Sequence, residues 1–63
     1  MTIVANDNTT ITTLGQTVCC SDGKNYILSG DVLFGPTGLV SRNCRSIDEA
    51  AAIVAGMHGG RKF

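Results

Sequence analysis

Turn-forming residues punctuate positions 9–41 so closely that no run between them exceeds six residues. Runs that short cannot hold independent helices, which need about 12–15 residues to be more than marginal in isolation. They suit short strands joined by tight turns. Residues 9–14 are β-branched and end at Gly15-Gln16. Residues 17–21 face residues 24–28 across Asp22-Gly23. Asp-Gly between two apolar runs predicts a two-residue type I′ hairpin, in which both turn positions take φ > 0. Ser29-Gly30-Asp31 marks a further reversal, and residues 32–34 form the next apolar run. Gly35-Pro36-Thr37-Gly38 predicts a type I turn, because proline presets φ at its second position and glycine suits its fourth. Residues 39–41 close that hairpin. The pattern predicts an antiparallel meander of about four strands. Residues 1–8 are expected as a mobile arm or an edge strand, broken at Asn6-Asp7-Asn8. No internal repeat is evident.

The character of the chain then changes. Ser46-Ile47-Asp48-Glu49 is a capping box followed by an alanine-rich run, which predicts a helix over 47–58. Gly59-Gly60 ends it, and residues 59–63 are expected as a flexible basic tail. At 100° per residue, Ile47, Ala50, Ala51, Ile53, Val54 and Met57 share the face expected to cover the sheet. Ala52, Ala55 and Gly56 fall on a second, smooth face that another backbone can approach closely. The fold class is α+β: one small single domain, a meander covered by one C-terminal helix.

Sixty-three residues make a marginal core, since a chain of that length buries only about 60% of its unfolded surface. Self-association or another external stabiliser is therefore favoured. Five basic and five acidic residues give zero net charge, without the basic excess of a duplex-binding protein. Three cysteines make a poor disulfide framework, and the start of the chain shows no secretory pattern, so a cytoplasmic location is expected.

Site chemistry is sparse. A Cys44–His58 nucleophile–base pair is disfavoured: the intervening helix would separate the two by about 16 Å. Zinc needs four convergent ligands, but there is no Cys-x-x-Cys, and the adjacent Cys19 and Cys20 point to opposite strand faces. Cys44, flanked by Arg42 and Arg45 near a helix N-terminus, is the candidate reactive thiol. Gly35–Gly38 lacks the Lys-Ser/Thr of a phosphate loop. No cofactor and no metal are expected. The reading is a non-enzymatic protein-binding module, a small inhibitor or regulator that docks on a larger protein or on a copy of itself. By size alone it resembles accessory proteins of mobile elements. The expected partner-binding residues are Ala52, Ala55 and Gly56 on the helix, with Arg42, Arg45, Arg61, Lys62 and Phe63. Free sheet edges are another route to a partner. The alternatives are a small nucleic-acid-binding module, with Tyr26 and Phe34 stacking bases, and a thiol- or metal-dependent regulatory protein.

Overall fold

The computed structural model describes residues 2–60. Six strands precede one helix: β1 (Thr2–Val4), β2 (Thr10–Leu14), β3 (Thr17–Cys20), β4 (Asn25–Ser29), β5 (Val32–Gly35), β6 (Gly38–Ser41) and α1 (Ile47–Met57). The strands form a single antiparallel sheet in chain order, β1 to β6. The α+β meander expected from the turns is present, with six strands rather than about four. Thr2–Val4 pairs with β2 as an edge strand. The four-residue strands β5 and β6 pair with each other despite their brevity.

The Asp22-Gly23 turn differs from expectation. Only Gly23 has positive φ (+93°), and the loop holds three residues, 21–23. The Gly23 amide donates to the Cys20 carbonyl at 3.0 Å and the Cys20 amide to the Lys24 carbonyl at 2.9 Å. This is a type I turn followed by a left-handed residue, the usual three-residue hairpin connection. Residues 5–9 repeat it bond for bond. The Asn8 amide donates to Ala5, the Ala5 amide to Thr9, and Asn8 takes φ +70°. In both loops the central aspartate accepts from the amide two residues on, Thr9 to Asp7 and Lys24 to Asp22.

The repetition extends further. β1, β3 and β5 begin at Thr2, Thr17 and Val32, fifteen residues apart, and β2 and β4 span residues 10–14 and 25–29. Gly15 and Gly30 take the same position in two-residue turns, with φ +60° and +63°. The meander is thus a tandem of hairpins, which the sequence conceals. Between the first two units few residues coincide: Thr2 with Thr17, Asp7 with Asp22, Gly15 with Gly30. Turn geometry, not side-chain identity, carries the repeat.

One sheet face holds the core. Ile11, Val18, Cys20, Tyr26, Leu28 and Leu33 are buried there, and along β4 burial alternates strictly. Ile11 and Leu33 are fully buried, each removal from water contributing roughly 1.5–3 kcal/mol. α1 lies on this face over β1, β2 and β3. The connector from β6 is pinned where the Cys44 amide donates to the Asp31 carbonyl at 2.9 Å, seating Cys44 in the same cluster.

Ser46 caps α1, its hydroxyl accepting from the Glu49 amide at 3.1 Å. The Glu49 carboxylate accepts from the Arg45 amide, one residue before the cap. The helix ends at Met57, one residue earlier than expected, with His58 as its C-cap. Its buried stripe is also rotated from the expected one. Ala50, Ala51, Val54 and Ala55 are buried, Ile47 and Ile53 are half-buried, and Met57 is exposed. Small side chains let the helix approach the sheet closely, leaving the larger residues on its flanks. No described helix is long and apolar enough to cross a membrane.

Two glycine substitutions should move stability in opposite directions. A Cβ at Gly35 would lie 2.9 Å from both the Tyr26 ring and a Val40 methyl. Gly35→Ala should therefore cost about 1–3 kcal/mol in urea unfolding, as overpacking does. At Gly56 a Cβ meets nothing within 4 Å, so Gly56→Ala should stabilise by about 0.5–1 kcal/mol.

Candidate functional site

The sheet face opposite α1 carries one in-register row that is apolar except at Thr17. Antiparallel pairing sets Leu14 beside Thr17, Thr17 beside Ile27, Ile27 beside Phe34, and Phe34 beside Leu39. Directly opposed side chains on one face are about 4.5–5.5 Å apart at Cβ, so these five form a row across β2 to β6. Its large members are open to solvent: Leu14 is 75% exposed, Ile27 56%, Leu39 48% and Phe34 44%. Single exposed apolar residues need no explanation, whereas a contiguous patch marks a contact surface. The neighbouring row, Thr2, Thr12, Cys19 and Asn25, is polar but uncharged. No strand contains a charged residue; the described charges sit in turns, in the connector and on α1.

The structure redistributes the residues expected to bind a partner. Ala55 is fully buried, so Ala52, Ala55 and Gly56 do not form a free helix face; Ala52 is half-buried and only Gly56 is exposed. Rotation of the buried stripe of α1 takes Ala55 into the core. Arg42 and Arg45 are exposed on the connector. Arg61, Lys62 and Phe63, with most of the expected basic tail, lie outside the described residues. Tyr26 and Phe34 cannot share a stacking platform, because they sit on opposite sheet faces, Tyr26 in the core and Phe34 in the open row. The row itself was missed because its members are scattered through the sequence. Only pairing register brings them together.

Cys44 is also corrected. It is fully buried, and its thiol donates to the Ser46 carbonyl at 3.3 Å. Desolvation pushes the Cys44 thiol up from its ordinary value, the reverse of what the flanking arginines suggested. Burial pushes Cys20 up as well. Cys19 is half-buried on the open face, and the three cysteines are unbonded.

A second cluster joins the two ends of the fold. His58 Nδ1 donates to Asp7 Oδ2 at 2.7 Å, and its Nε2 lies 3.8 Å from Asp22 Oδ2. The twin loops thus present their equivalent aspartates to the two nitrogens of one ring. The Asn6 amide donates to the Gly60 carbonyl at 2.8 Å, and the Asn6 side-chain amide to Gly59. In a catalytic dyad one ring nitrogen faces a nucleophile; here it faces a second carboxylate. The cluster is a latch between the β1–β2 loop and the end of α1. Hydrogen bonds from the Thr9 hydroxyl and amide, and then His58, outweigh desolvation and hold the Asp7 carboxyl at about 2, against an ordinary 3.8. Among the described residues no group of three His, Cys, Asp or Glu side chains is placed to hold a metal, and no pocket is found.

The chain matches no family model, no curated protein and no solved structure.

Two outcomes follow from this geometry. A brief alkylation of the native protein at high dilution, read by mass spectrometry, should label Cys19 well before Cys20 and Cys44. Since folding lowers the Asp7 carboxyl, its contribution to stability is present above 3.8 and lost as pH falls toward about 2. Asp7→Asn should therefore melt below the wild type near neutral pH, with the gap closing across that acidic window.

Proposed function

We propose that this chain is a non-enzymatic protein-binding module, a small regulator or inhibitor that acts by docking through the open face of its sheet. The observation that carries the reading is the in-register row of Leu14, Ile27, Phe34 and Leu39, each 44–75% exposed. A row of that kind supplies what an interface core needs, an aromatic and branched aliphatic anchors free of charge. Tracking a nucleic-acid backbone calls for basic residues around the stacking surface, and the strands offer none. Three unbonded thiols fit a reducing compartment, and the proposal places the protein in the cytoplasm.

The test compares the wild type with the Phe34→Thr/Leu39→Thr double variant, after circular dichroism has shown both to be folded. Each is used to capture proteins from a lysate of the cells that make the chain, and each is sized by light scattering. The wild type should bind a protein or a copy of itself, and the variant should lose about tenfold or more in affinity, as removal of interface anchors does. A wild type that binds neither, or a variant that binds equally well, contradicts the reading.

A further inference from the structure

Resting on that reading, we propose that the occupant of the open face is a second copy of the chain, packed sheet against sheet with the two helices outermost. Three observations support it. First, the open face has no charged side chain on any strand, so a matching surface must be equally free of charge. Its mixture of aliphatic, aromatic and hydroxyl groups is self-complementary, and two copies meet there without like-charge repulsion.

Second, the sheet edges are blunted while the face is not. β1 is only three residues long, and β6 carries an irregularity where Val40 slips between the Phe34–Leu39 and Leu33–Ser41 pairs. Short edge strands and bulges are two devices that discourage edge pairing. The face has no such device.

Third, the size is sufficient. Six strands about 4.8 Å apart, mostly four or five residues long at about 3.3 Å each, cover roughly 24 by 15 Å. With side-chain relief, two copies bury on the order of 1,000 Å², the lower bound for a specific interface. The dimer core then gains Ile27, Phe34 and Leu39 from each copy.

Cys19 provides the probe. It sits on the central strand β3, on the open face, one row from Ile27. Light scattering on the full chain at tens of micromolar should give twice the mass of one chain. The Ile27→Thr/Phe34→Thr variant, with unchanged far-ultraviolet circular dichroism, should give the mass of one. A bismaleimide of about 10 Å reach, the spacing of packed sheets, should link two wild-type chains through Cys19, and Cys19→Ser should abolish the link. If the double variant does not fold, the cross-link decides. A single-chain mass throughout, a dimer that survives in the folded variant, or a dimer that does not link through Cys19 overturns the proposal. A single-chain mass removes only the second copy as occupant; docking on another protein is tested separately by capture.

Discussion

A strand has two faces, and among the described residues only one is covered. Between β6 and the end of α1 lie a five-residue connector and an eleven-residue helix. Both close the same side of the sheet, the connector through Cys44 and α1 through Ala50, Ala51, Val54 and Ala55. Side chains alternate along a strand, so once Ile11, Val18, Leu28 and Leu33 are committed to the core, their neighbours point the other way. Leu14, Ile27, Phe34 and Leu39 are open for that reason, and the exposed row is a geometric consequence of the core.

The same constraint separates what the sequence reveals from what it hides. The meander and the helix were legible because turns and caps are local. Gly35-Pro36-Thr37-Gly38 and Ser46–Glu49 announce their structures within four residues. The open row was not legible, because which residue faces which depends on pairing across loops. Asp22-Gly23 suggested a two-residue turn, and the observed three-residue loop alters the register by which Val18 meets Tyr26 and Thr17 meets Ile27. Ala55 and Met57 exchanged roles for a related reason. Amphipathic periodicity locates a stripe only to within a residue or so, and the packing surface of the sheet selected the small side chains. Cys44 looked activated because arginines flank it in sequence, whereas burial governs its thiol.

The fifteen-residue repetition accounts for the latch at the ends of the fold. Two equivalent loops place Asp7 and Asp22 at equivalent positions, and His58 falls between them. The first loop is thereby tied to the end of α1, as the Asn6–Gly60 bond also shows. The latch lies on the closed side of the molecule, with the helix. The sheet is held from behind, and its open side is left as a preformed surface, which would lower the entropic cost of the proposed docking.

Which residues are open and which are buried depends on pairing register, since a slip of one residue in β4 and β5 would exchange the two faces. The most direct measurement is the set of nuclear Overhauser contacts made by the Phe34 ring in isotope-labelled protein. Contacts from Phe34 to the Ile27 and Leu39 side chains, with none to Val54 or Ile11, are the predicted result. A Phe34 ring in contact with Val54 or Ile11 would place it in the core and contradict the account.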